Sequence, residues 1–270
     1  MPTPRISASS YSNTAPLVWS FLYGREHGKV ELILDNAPAR SAELLAQNRV
    51  DVALVPVIAA QVIDDLNIVS GVCVGARERV RSVSIVTRGM ELADARSVAL
   101  DISSKTSVVL TKIIFREFLG FDPVWKDARP DMDTMLAGAD AALIIGDPAL
   151  AIAECGAKPK SKIQNLRSFD LAEIWKHHTG LGFIFAMWMT KRDAISIDFA
   201  AARDEGLAHI DEIAQNYSSD TGLDRYAMKE YLTGNIAYAP DESMLGGMEL
   251  YFKLATVNGL IDGERPLRFI

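Results

Sequence analysis

Apolar and polar positions alternate along this chain with two periods. Arg5-Ile6-Ser7-Ala8-Ser9 switches at every residue, as a strand with one covered face does. Pro16-Leu17-Val18-Trp19-Ser20-Phe21-Leu22 then predicts an apolar helix. A strand over Val30–Leu34 and a helix over Ser41–Gln47 follow. Val50–Val57 is an almost unbroken apolar run, the signature of a strand covered on both faces, and Pro56 should end it. Strands are predicted over Ile68–Val74 and Ser82–Thr87, joined by the charged stretch Arg77-Glu78-Arg79-Val80-Arg81. A second series opens with a strand over Ser97–Asp101 and a helix over Val108–Leu119 closed by Gly120. It continues with strands at Pro123–Trp125 and Ala141–Ile145 around a helix at Asp133–Leu136, and with a helix after Gly146-Asp147-Pro148. Gly182–Met189 is the last apolar strand. Beyond about Ile195 only helices are predicted: Phe199–Gln215, Asp224–Leu232 and Asp241–Val257. Alternating strands and helices imply parallel sheets flanked by helices.

One local device recurs three times. A strand ends, a short polar turn follows, and a helix begins: at Ser10–Asn13, at Ser103–Ser107 and at Gly146–Asp147. Helix starts carry free N–H groups and the positive end of the helix dipole, which suit a carboxylate or phosphate. In open sheets such turns gather at the carboxyl ends of the strands, where ligands bind. Ser104, Thr106 and Ser107 therefore read as a carboxylate clamp, with redundant caps as the competing reading. Gly146 would let a ligand approach the backbone closely. Asp147 would cap the following helix or touch a substrate hydroxyl. Ser10 and Tyr11 would line the wall of the first turn.

Composition narrows the classes. Of 270 residues, 49% are hydrophobic and 23% charged, which is a globular balance with ample core material. The net charge of −7, without a Lys/Arg run, argues against nucleic acid or an anionic membrane as partner. An anionic ligand would have to be held by local donors against that field. Cys73 and Cys155 belong to no CxxC or Cys/His cluster and read as reduced structural residues. The His177-His178 pair has nothing nearby to complete a ligand set. No stretch is long enough to span a membrane, and Met1–Arg5 lacks the apolar region of a signal peptide, so a cytoplasmic protein is expected.

Six stretches in order carry a family resemblance: Ser-Asn-Thr-Ala-Pro-Leu (Ser12–Leu17), Asp-Val-Ala-Leu-Val-Pro-Val (Asp51–Val57), Val-Arg-Ser-Val (Val80–Val83), Ser-Lys-Thr-Ser (Ser104–Ser107), Ile-Gly-Asp-Pro-Ala-Leu (Ile145–Leu150) and the Trp175–Trp188 segment. With Tyr231–Tyr238 they resemble the chorismate dehydratase family of the futalosine route to menaquinone. The departures are Ser12 and Val57, where the family more often has a hydrophobic residue and a serine.

The resemblance implies a periplasmic-binding-protein-like α/β fold of type II: two lobes, two crossover strands and a ligand cleft between them. Lobe 1 would comprise residues 1–87 and 188–270, and lobe 2 residues 88–187. It implies dehydration of chorismate to 3-[(1-carboxyvinyl)oxy]benzoate by a cofactor-independent, metal-free hydro-lyase, and a homodimer is compatible with it. Asn13 and Ser82 would be the catalytic residues, with a plain helix cap and a plain strand serine as the competing readings. Arg77, Arg79 and Arg81 would steer the dianion or merely be solvated. The alternatives are 1,4-dihydroxy-6-naphthoate synthase of the same route and a non-catalytic small-anion binding protein.

Overall fold

A computed structural model describes residues 3–155 and 165–270. The first sheet has the order β2-β1-β3-β10-β4, built from β1 (Arg5–Ser9), β2 (Glu31–Asp35), β3 (Val52–Pro56), β4 (Asn67–Ala76) and β10 (Phe183–Thr190). The second has the order β7-β6-β8-β5-β9, from β5 (Val83–Thr87), β6 (Ser97–Asp101), β7 (Val124–Ala128), β8 (Ala141–Ile145) and β9 (Arg167–Asp170). Helices α1 (Ala15–Leu22), α2 (Pro38–Ala46), α3 (Ala59–Val62) and the C-terminal α8 (Phe199–Ala208), α9 (Ile210–Thr221), α10 (Arg225–Glu230) and α11 (Glu242–Val257) follow strands of the first sheet. Helices α4 (Lys105–Ile113), α5 (Met132–Gly138), α6 (Gly146–Cys155) and α7 (Leu171–Thr179) follow strands of the second.

The sheets are mixed, not parallel as expected. Strand β10 runs antiparallel to β3 and β4, and β5 antiparallel to β8 and β9. The reason is topological. Strands β1, β3, β6 and β8 end at the gap between the sheets. A chain arriving from the other sheet starts there, so its entering strand must run the opposite way.

Sheet membership also moves the expected boundaries. Val83–Thr87, assigned by sequence to lobe 1, is an interior strand of the second sheet. Phe183–Met187, assigned to lobe 2, belongs to β10 in the first. The chain therefore crosses at residues 77–82 and 180–182, not along the strands themselves.

The first crossing is pinned. Asp170 accepts the backbone N–H groups of Val80 and Arg81 and also caps α7 through those of Ala172 and Glu173. Arg81 takes the left-handed backbone region at φ 63° there. Strand β9 and α7 had no sequence prediction, since β9 is a mostly exposed four-residue strand. The capping box Asp170-x-x-Glu173 and Gly180, left-handed at the helix end, would have located α7.

Trp175 and Trp188 are fully buried core residues. The single helix predicted over Phe199–Gln215 breaks at His209, whose ring stacks 3.7 Å from that of Trp19. The one predicted over Asp224–Leu232 ends as a π-helical turn, Tyr231–Asn235. Cys73 is a buried free thiol pushed far up by desolvation. The side chain of Cys155 lies outside the described residues.

Candidate active site

Strand β1 delivers its last residue to the gap, and a 3-10 turn, Ser12–Thr14, leads into α1 with Pro16 in its first turn. Thr14 locks this turn, its Oγ1 lying 2.6 Å from the Ser9 carbonyl and 2.8 Å from that of Tyr11. Neither the 3-10 turn nor α1 has a side-chain cap bond, so the cap reading of Asn13 falls. Its side chain faces a cavity between the lobes.

That cavity measures about 60 Å³ and, among the described residues, has no charged side chain in its wall. The polar lining comes from Ser9, Tyr11, Asn13 and Thr14 of the first lobe and from Ser104, Thr106 and Ser107 of the second. Leu54, Pro56, Val74, Val83, Ile145 and Phe185 are among its apolar lining. All three sequence-predicted turns thus reach one site, Gly146 among them. Gly146 has φ +67°, and a Cβ there would lie 2.7 Å from the Tyr11 ring, so the ring's approach depends on glycine.

The second-lobe turn is tied down. Ser104 Oγ donates to Ser107 Oγ at 2.7 Å. Thr106 Oγ1 accepts the Ile58 N–H of the first lobe at 3.3 Å, and its carbonyl accepts the Tyr251 hydroxyl at 3.1 Å. Ser104, at the N-cap of α4, makes no side-chain cap bond, so these hydroxyls are not redundant caps. Asp101 Oδ1 takes the N–H and hydroxyl of Ser103, while Oδ2 is buried with no partner among the described residues. Burial pushes that carboxyl up.

Two expected contacts are redirected. Ser10 Oγ donates to Asn36 Oδ1 at 2.8 Å, and Ser10 is not part of the cavity wall. Asp147 crosses between lobes. Its carboxylate accepts the Ser12 N–H at 3.2 Å and the Ser12 hydroxyl, and it too is outside the cavity wall. Tyr11 also reaches the second lobe, toward Ser103. Burial, with the charges of Asp101 and Asp147, pushes its phenol up to about 12.

Ser82, expected to face the cleft, is not part of the cavity wall. It is fully buried and its hydroxyl closes no hydrogen bond among the described residues. The hydroxyl of Tyr231, which sequence reasoning missed, lies against both the Ser82 and Asn13 side chains. Arg77 and Arg81 are held at the crossing: Arg77 Nε is 2.7 Å from Asp241 Oδ2, and an Arg81 guanidinium nitrogen is 3.2 Å from Asn235 Oδ1. His177 and His178 sit in the last turn of α7, with His178 stacked on Phe118. Among the described residues no group of three His, Cys, Asp or Glu is placed to hold a metal ion, and no helix is long and apolar enough to cross a membrane.

Two mixed sheets joined by two crossings, with an uncharged cleft where their strands end, define a bilobal protein of the periplasmic-binding-protein fold. Solved structures share it. Protein AF1704 of Archaeoglobus fulgidus superposes with a TM-score of 0.75 at 18% identity, covering 96% of this chain and 98% of that one. The periplasmic aliphatic sulphonate binding protein SsuA of Escherichia coli gives 0.64 at 16%, covering 99% and 94%. The chain belongs to the menaquinone biosynthesis family, whose model matches residues 4–256. A relative from Thermus thermophilus, named chorismate dehydratase, is 27% identical over 259 residues, or 89% of this chain and 91% of its own.

Proposed function

We propose that this protein is a chorismate dehydratase, removing water from chorismate to give 3-[(1-carboxyvinyl)oxy]benzoate in the futalosine route to menaquinone. The observation that carries the reading is the wall of neutral donors at the inter-lobe cleft, in a chain of this family. A dianionic substrate bound by hydroxyls, an amide and a helix start is oriented without ion pairs that would retain a dianionic product.

The start of α4, with Ser104, Thr106 and Ser107, takes a carboxylate. Asn13, on the opposite wall, donates to the departing ring hydroxyl, with Ser82 behind it. A ring C–H proton and the hydroxide leave as water and the ring becomes aromatic, so much of the enzyme's task is alignment and charge stabilisation. Among the described residues no Asp, Glu or His lines the cavity, and the reading therefore gives the proton to the substrate's own carboxylate. A cyclohexadiene dicarboxylate exceeds a cavity of about 60 Å³, so loading requires the lobes to part and close again.

The test is incubation with chorismate, followed by ultraviolet absorbance and mass analysis of the product. An aromatic product one water lighter is expected. Chorismate bound but unchanged would make this a binding protein. Formation of dihydroxynaphthoate from the later pathway substrate would make it the synthase.

A further inference from the structure

Tyr231 opens the π-helical turn Tyr231–Asn235, and such turns recur at functional sites because they displace a side chain from the regular helical face. The residue is wholly buried, and its hydroxyl closes no hydrogen bond of good geometry among the described residues. The same is true of the Ser82 hydroxyl against which it lies. Two adjacent buried hydroxyls left in this state oppose folding, and the ring of Tyr231 would pack equally well as phenylalanine. Packing therefore explains the ring but not the oxygen. The third group of the cluster is the Asn13 amide, which faces the cavity on its other side.

An asparagine amide can turn either end toward a ligand, and the two ends have opposite chemistry. We propose that Tyr231 is the positioning residue that sets this orientation: its phenol donates to Asn13 Oδ1, leaving the Asn13 Nδ2 hydrogens to face the cavity as donors. Desolvation, the largest influence on this phenol, pushes it far above its ordinary value, so it remains a proton donor at any physiological pH. The inference deepens the proposed function. A hydroxide leaving from an anionic substrate needs a donor at Asn13, whereas the opposite orientation would aim a carbonyl oxygen at developing negative charge. Ser82 shares the Tyr231 oxygen and completes the buried side of the cluster.

The test is Tyr231→Phe, which keeps the ring and removes one oxygen, read in two independent ways. Turnover of chorismate should fall about 10- to 100-fold in kcat with KM within about threefold. The melting temperature should fall only slightly, because the Asn13 oxygen that loses its donor borders the cavity, where water can replace it. Separately, the side-chain amide resonances of Asn13, assigned by their loss in Asn13→Ala, should shift in Tyr231→Phe and become broad or doubled. Wild-type kcat in Tyr231→Phe, unmoved Asn13 amide signals, or failure of the variant to fold would each overturn the proposal, the last by making the oxygen structural. Should the unaltered protein leave chorismate intact, the dehydratase reading falls. The amide signals then still decide the positioning of Asn13.

Discussion

The two hydroxyl-rich turns at the cleft look alike in sequence and differ in how their polar groups are spent. In the second lobe, Ser104 bonds Ser107 and Thr106 holds the Ile58 N–H across the gap. In the first, Thr14 bonds the Ser9 and Tyr11 carbonyls and Ser12 holds Asp147 across the gap, while Asn13 is left between the cavity and the buried hydroxyls of Ser82 and Tyr231, which close no hydrogen bond of good geometry among the described residues. A buried polar group without a partner costs about 1–3 kcal/mol. Groups kept at that cost are placed for a task other than folding. Thr106 and Ser107 accept in these bonds and keep their own protons for a ligand, an arrangement that tunes affinity and closure more than rate.

Substitutions test this division directly. Asn13→Ala should lower kcat on chorismate about 100- to 1,000-fold, the range for loss of one oriented donor. Ser82→Ala should lower it about 10- to 100-fold while shifting the urea midpoint little, because the removed hydroxyl closes no hydrogen bond of good geometry. Near-normal rates in both would collapse the distinction. Thr106→Val belongs to the other group. It strands the Ile58 N–H, so about 1 kcal/mol of stability should be lost. KM should rise about tenfold with kcat little changed, one hydrogen bond to bound carboxylate being removed. A kcat loss as deep as that of Asn13→Ala would show that both turns do the same work.

The clasp between lobes gives a smaller and different signal. Ser12→Ala removes the hydroxyl that reaches Asp147 and leaves only the Ser12 N–H on that carboxylate. If the clasp biases closure, the ligand-free protein should open, with a larger radius of gyration by small-angle X-ray scattering and KM higher by about two- to fivefold. An unchanged radius would confine Asp147 to local anchoring.

What the chain disclosed in advance follows the same division. The three turns were readable because small hydroxyls, Asn and Gly at strand ends have few other uses, and all three do reach one cavity. Ser10 was indistinguishable from its neighbours, since its bond to Asn36 depends on where β2 ends. Asp147 reads as a cap until Ser12 of the other lobe is placed beside it. Tyr231 lay in the Tyr231–Tyr238 stretch of the resemblance but carried no sign of a role: among apolar residues at helical spacing it looks like core, and only the return of the C-terminal helices brings it to Asn13. The reversal of β5 and β10 was likewise invisible to periodicity, which reports faces and not direction.

The pins of the crossing lie outside both groups and should affect stability weakly and rate not at all. Burial pushes the Asp241 carboxyl up, but the Met244 N–H and the Arg77 guanidinium outweigh it and hold the group below the usual carboxylate range. A carboxylate depressed in the folded state contributes stability that is present above its unfolded pKa, about 3.9, and is lost as pH falls through the folded value. Asp241→Asn retains the cap on Met244, because an asparagine oxygen can accept the same N–H, and deletes only the ion pair. Both partners of that pair are more than a third exposed, so screening holds its worth to about 0.5 kcal/mol. Urea midpoints should therefore differ slightly at pH 7, converge as pH drops below the ordinary carboxylate value, and converge also in high salt, with kcat unaltered throughout. A gap that persists in acid would place the loss in the helix cap. A change in kcat would join the crossing to the Asn13 cluster and erase the boundary drawn between them.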